Sequence, residues 1–160
     1  MIEINKTIAL KLIFLISILA LASAFFIEYV LGHQPCNLCI LERIPYLLAL
    51  IIIVLNYKFI QLEKYFILLL ILIFLAATIL SLYHLGIEQG FVEESLVCDL
   101  KKGSDLLSKE EILKQLQQKN ISCKDVTFKL MGLSLTSYNI LISLLISICT
   151  IKIYLSYDKN

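Results

Sequence analysis

Charge is what this sequence has least of. Of its 160 residues 17% are charged and 59% are hydrophobic, and the mean hydropathy is +0.88. A soluble domain of this length cannot hide so much apolar surface without large exposed patches, so the composition excludes one. Lipid must be the solvent for most of the chain. Glycine is scarce too: the five present are scattered, with no G-x-G-x-x-G run to cradle the phosphates of a flavin or nicotinamide cofactor. There is no internal repeat or low-complexity tract. No separate targeting segment is expected either. The first apolar run is too long for the core of a signal peptide and lacks a clear small-x-small cleavage site, so it is expected to stay as a membrane span.

What remains is four long apolar stretches, at about 8–31, 40–57, 65–85 and 133–155. A bilayer core needs about 20 apolar residues in a helix, and only helices or closed barrels satisfy the backbone in lipid. These runs lack the alternation of barrel strands. The expected fold is an all-α integral membrane protein, a bundle of four transmembrane helices forming one domain over residues 1–160. Lys6, Lys11, Lys58, Lys64, Lys152 and Lys159 gather on one side, whereas the short loop at 32–40 has only Arg43 beside it. The positive-inside rule then puts both termini and the Asn56–Lys64 turn in the cytoplasm, and the loops at 32–40 and 86–132 outside it. The longer loop holds seven lysines and eight acidic residues, and long loops cross regardless of charge. Within it, Ser108-Lys109-Glu110-Glu111 has the spacing of a capping box. Ile112, Leu113 and Leu116 follow as the apolar stripe of a short surface helix, expected to be a spacer between two cysteines.

Five cysteines are present, and four share the outer compartment. Cys36 and Cys39 form a Cys-x-x-Cys in the first outer loop, Cys98 and Cys123 lie in the second, and Cys149 sits inside the last apolar run as a small apolar residue. An oxidising compartment favours disulfides. A zinc site is one reading of Cys-x-x-Cys, but the 25-position gap between Cys98 and Cys123 is far from a metal-knuckle spacing, and no metal is expected. Haem attachment needs His after the second cysteine, where Ile40 stands. A structural staple gains more from closing a long loop than a two-residue one. A redox-active dithiol is the reading that remains.

The neighbours of the pair agree with that chemistry. Pro35 presets a helix start, which puts the sulfurs near a positive helix end. In a continuous helix Arg43 shares a face with Cys36 and Cys39, one turn from the second sulfur, where a permanent cation lowers a thiol pKa and holds an anion or a carbonyl oxygen. An interfacial anchor, or an ion pair with Glu42, is the plainer role for Arg43, and Pro45 weakens the continuous helix. A cysteine and an arginine at lipid level suggest that the electrons leave on a lipid-soluble carrier, a quinone.

Gly32-His33-Gln34-Pro35-Cys36-Asn37-Leu38-Cys39, followed by Glu42-Arg43-Ile44-Pro45-Tyr46, closely resembles the first outer loop of the DsbB family, bacterial quinone-dependent disulfide bond formation proteins. The resemblance continues in Tyr83-His84-Leu85-Gly86-Ile87-Glu88, in Cys98, in Cys123-Lys124-Asp125 and in Gly132-Leu133-Ser134, and covers nearly the whole chain in order. It implies a protein of the bacterial inner membrane whose periplasmic loops carry catalytic Cys36, Cys39, Cys98 and Cys123. A reduced DsbA-like periplasmic partner would form a mixed disulfide at Cys98. Cys123 would exchange with the first pair through Cys36, freeing Cys39 as a thiolate facing a ubiquinone or menaquinone, which Arg43 holds. His84, at the outer end of the third span, is expected to donate to a quinone oxygen or to pass protons. His33 is read as an ordinary loop residue, and Glu28 as interfacial or as a partner of Arg43. Nucleic acid is not among the expected partners. Thr127-Phe128, where relatives often carry an aromatic after Cys-x-Asp, and the lysines of the second loop leave the chemistry intact and the partner's identity open. Two rivals stand beside this reading. Vitamin K epoxide reductase-like proteins carry their Cys-x-x-Cys in a late span, after the loop pair. A non-catalytic scaffold with structural disulfides gives no reason for Arg43 after Cys39.

Overall fold

The computed structural model describes residues 6–93, 122–124, 128–130 and 132–157. Cys98 and the short helix expected after Ser108 lie outside the described residues. Helix α1 (Lys6–Tyr29) is followed by a short α2 (Asn37–Leu41), α3 (Ile44–Lys58), a 3-10 turn at Ile60–Leu62 and α4 (Glu63–Glu88). A two-stranded antiparallel hairpin, β1 (Lys129–Leu130) and β2 (Leu133–Ser134), then leads into α5 (Leu135–Tyr157). Four segments are long and apolar enough to cross a membrane: Lys6–Tyr29, Asn37–Lys58, Ile60–Glu88 and Leu135–Ser156. The protein is therefore an all-α, multi-pass membrane protein, a four-helix bundle, as its apolar runs predict.

The second crossing is not one continuous helix. Pro45 carries no N–H to extend the ladder from α2, so Glu42 closes α2 and Arg43 becomes the cap of α3, with Pro45 in its first turn. The single helical face expected to align Cys36, Cys39 and Arg43 is replaced by this break, and Glu42 and Arg43 take different partners as a result.

In lipid an apolar side chain gains little by turning inward, so helices associate through close packing and hydrogen bonds. The burial pattern follows that rule. Leu12, Leu19, Leu47, Leu72, Ile79 and Leu145 are exposed, whereas Ser17, Thr78, Ser81, Ser143, Ser147 and Thr150 are buried. The α4–α5 seam is the most extensive in the bundle. Across it Thr78 Oγ1 lies 3.0 Å from Ser143 Oγ, and the Asn139 amide donates to Ser81 Oγ at 2.7 Å. The Tyr46 hydroxyl donates to Asn139 Oδ1 from α3. The Tyr46 ring meets the fully buried Phe74 edge-on, centroids 5.8 Å apart. At the opposite end of the bundle Lys6 Nζ donates to Glu63 Oε2 at 2.8 Å, tying the start of α1 to the start of α4.

The seam predicts how substitutions rank. Interhelical hydrogen bonds in membranes are worth about 0.6 kcal/mol on average and about 1.7 at most. Thr78→Val should therefore cost on the order of 1 kcal/mol. Ser143→Leu should cost more, about 1–3 kcal/mol, because it overpacks the seam as well. Reversible unfolding in mixed micelles measures both, and a Ser143→Leu protein as stable as the parent would refute this account of the seam.

Candidate functional site

The cysteine end of the bundle is built by the way α1 stops. Gly32, at φ +74°, turns the chain back so that the His33 amide donates to Ile27 O at 3.2 Å. Pro35 then delivers Cys36 in extended backbone as the cap of α2, where its sulfur accepts from the Cys39 N–H at 3.3 Å. Cys39 follows one turn on, and the two sulfurs stand 2.8 Å apart as free thiols. That is closer than unbonded sulfurs usually rest and longer than the roughly 2.05 Å of a disulfide, so little movement closes the bond.

The two cysteines face different surroundings. Cys36 is buried in a cluster with Leu38, Ile87 and Cys123, against which Cys39, Leu41, Leu80 and Tyr83 pack. Cys123 itself is disulfide-bonded. Cys39 instead lines a cleft of about 180 Å³ whose walls include Ala20, Ala24, Ile27 and Ile142, and whose polar groups include Arg43, Tyr46 and Asn139. His33 also lines this cleft, with its ring against Phe128 at 5.3 Å between centroids. Cys149 is distant from this site and packs among Ile67, Ile71 and Ile153.

Behind the pair lies a set of buried charges. His84, 1% exposed, turns Nε2 to Cys36 Sγ at 3.5 Å and Nδ1 to Glu42 Oε1 at 2.9 Å. It does not line the cleft. The Cys39 thiol, donating across 2.8 Å, brings the Cys36 thiol down from 9.0 to about 5; burial opposes the change, while His84 and the Cys39 N–H support it. These contacts favour the thiolate form of Cys36. Sulfur and histidine donor atoms of Cys36, Cys39 and His84 all lie within 4.8 Å of one another.

Arg43 is occupied differently from the simplest expectation. It leaves Glu42 to His84 and donates through Nη1 to Glu28 Oε2, with its guanidinium 5.2 Å from the Phe25 ring centroid. A guanidinium has five donors, so further N–H groups remain to serve the cleft. Sequence reasoning named the cysteines, Arg43 and His84, but not the roles of Glu42, Tyr46 or Asn139 in building the site. Tyr46 and Asn139 are 93 positions apart and meet only through the packing of α3 on α5, so no local signal marks them.

The thiolate has a direct consequence. In the reduced Cys98→Ser/Cys123→Ser protein, alkylation of Cys36 should follow a midpoint near pH 5, the rate rising as pH rises through it. His84→Gln should move that midpoint up toward the ordinary thiol value of about 8.5. An unchanged midpoint would mean that His84 does not support the thiolate.

The model of the family described as disulfide bond formation protein DsbB matches residues 6–153. An uncharacterized protein of Rickettsia prowazekii (strain Madrid E) is 35% identical over 147 residues, covering 91% of this chain and 85% of the relative. No solved structure matches the chain. With four membrane-spanning helices and a family match over nearly its whole length, the chain belongs to the DsbB family of disulfide bond formation proteins, membrane thiol oxidoreductases.

Proposed function

We propose that the protein reoxidises a DsbA-like periplasmic thiol oxidase and passes the electrons to a membrane quinone, so sustaining disulfide formation in the bacterial periplasm. The observation that carries the reading is the division of the first pair: Cys36 sits among buried residues that include Cys123, while Cys39 opens into the apolar cleft beside Arg43. The chain works as one membrane domain in the inner membrane, with both termini cytoplasmic and both cysteine loops periplasmic. The lysine distribution supports that orientation, as does the gathering of Lys6, Glu63 and Lys64 at the bundle end away from the cysteines.

The cleft suits the head group of a quinone: apolar walls, with the multiple N–H donors of Arg43 lining the same space as the Cys39 sulfur. A quinone held there supplies the electron sink, taking two electrons and two protons. Arg43 holds the carbonyl end, and the Asn139–Tyr46 hydrogen bond fixes the Tyr46 side chain at the wall. Ala20 and Ala24 leave room that larger side chains would fill.

Cys98 and Cys123 form the partner-facing disulfide. A thiolate of the reduced partner attacks Cys98, and the bond to Cys123 breaks. The Cys123 thiolate then attacks Cys36 Sγ of the closed first pair, which breaks Cys36–Cys39 and leaves Cys39 as the thiolate facing the cleft. The second partner thiol resolves the mixed disulfide at Cys98, and Cys98 reclaims Cys123 from Cys36. Cys36 is a good leaving group in that last exchange, because low-pKa thiols leave faster. His84 serves the sulfur of Cys36, with Glu42 fixing the orientation of its ring.

Turnover with a reduced DsbA-like protein and a soluble quinone analogue tests the scheme. Cys39→Ser should abolish quinone reduction while the partner still exchanges with Cys98. Arg43→Gln should raise KM for the quinone at least tenfold, with Arg43→Lys intermediate because a single point charge replaces the fork. Quinone reduction that persists in Cys39→Ser would falsify the assignment.

A further inference from the structure

One buried carboxyl group has no place in the relay above. Glu88 is the last residue of α4, and its side chain is 7% exposed. Its Oε1 accepts from the Thr136 hydroxyl of α5 at 2.6 Å, and its Oε2 is buried without a hydrogen-bond partner among the described residues. Leaving a buried charged oxygen unanswered is expensive, whereas the carbonyl oxygen of a neutral carboxyl tolerates it far better. The geometry around His84 supplies a reason for a neutral Glu88. Cys36 Sγ lies 3.5 Å from His84 Nε2, and Glu88 Oε1 lies 3.8 Å from the same nitrogen. Nε2 carries one hydrogen at most, so two anions face a single donor. The other ring nitrogen is taken by Glu42 Oε1 at 2.9 Å, with the Thr136 hydroxyl 3.3 Å away. The groups facing His84 are thus Cys36 and Glu42 from the α2 side, Glu88 from its own helix, and the uncharged Thr136 from α5.

We propose that Glu88 is a proton carrier of the first cysteine pair: it takes up a proton when Cys36 becomes a thiolate and releases it when the Cys36–Cys39 disulfide closes. Written out, the disulfide plus two electrons and two protons gives the Cys39 thiol, the Cys36 thiolate and the Glu88 carboxyl, with His84 an imidazolium throughout. The net charge of the site is the same in both states. In the disulfide form the imidazolium lies between the Glu42 and Glu88 carboxylates. In the dithiol form the Cys36 sulfur replaces Glu88 as the anion facing Nε2. Burial favours this exchange, because a low-dielectric site resists any change in its net charge. Glu88 is also well placed to trade protons with the outside, since Gln89 and Gly90, which follow it at the end of α4, are exposed. Electrons arrive from the dithiol of the protein partner and leave to the quinone, as the relay requires. This inference rests on that relay only in treating Cys36–Cys39 as a redox pair.

The test needs no quinone. The full-length Cys98→Ser/Cys123→Ser protein is equilibrated with a soluble dithiol redox buffer between about pH 6 and 8, below the ordinary thiol range. The parent should take up two protons per two electrons, Glu88→Gln one, and Glu88→Asp two. The dithiol-minus-disulfide infrared difference spectrum should carry a protonated-carboxyl band that is lost in Glu88→Gln and kept in Glu63→Gln. Thr136→Val, which retains Glu88 but removes its hydrogen bond, should shift the frequency of that band, and this covers the case in which Glu88→Gln fails to fold. Two protons in Glu88→Gln, one in the parent, or a carboxyl band indifferent to Thr136→Val would each overturn the assignment. Loss of quinone activity with these results intact would instead count against the relay.

Discussion

Glu42 and His84 meet 2.9 Å apart at the end of a bundle whose other surroundings are hydrocarbon and packed apolar side chains. A buried polar pair in such a place survives only if its remaining atoms are answered, and the architecture at this end of the molecule answers them. Thr136 comes from α5, Cys36 from the cap of α2, and Glu88 from the end of α4. The α2 segment, α4 and α5 all contribute to holding one imidazole ring. The ring in turn holds a sulfur. The surroundings of the first pair are therefore an outcome of helix packing as much as of the Cys-x-x-Cys motif.

The break in the second crossing is what lets this happen. A straight helix through Cys39 and Arg43 would send Glu42 and Arg43 around one regular spiral. Instead the restart at Pro45 separates them: Glu42 turns to α4, and Arg43 turns to Glu28 and Phe25 of α1. Glu42 holds the histidine behind the dithiol while it also lines the cleft, and its neighbour Arg43 ties that cleft to α1. Two sides of a single disulfide thereby acquire different electrostatics within a few residues of chain.

Much of this was legible before any coordinates. The apolar runs announce four membrane helices, because only helices and closed barrels satisfy the backbone in lipid and these runs lack a barrel's alternation, and the Cys-x-x-Cys with its proline announces a redox pair. The motif residues also carried the family resemblance. Most pairing across helices could not be read. Arg43 was one of the partners open to Glu28, but Glu42 and His84 are 42 positions apart, and their meeting depends on a local break whose rotation no periodicity encodes. His84 was expected to donate to a quinone oxygen or to pass protons; that it lies behind Cys36 could not be read, since the facing direction of a residue on a uniformly apolar helix leaves no trace in the pattern. Glu88 is the instructive case. Its four-residue spacing from His84 was in plain view, and only the burial of both made it informative.

Because Cys36 is tuned by groups from separate helices, its reactivity is a property of the assembled bundle. Before the helices dock, Cys36 lacks the contact with His84 and keeps only the support of the neighbouring Cys39 thiol and N–H. The docking of α4 beside α2, which brings His84 to within 3.5 Å of the Cys36 sulfur, is thus part of what sets the reactivity of the pair.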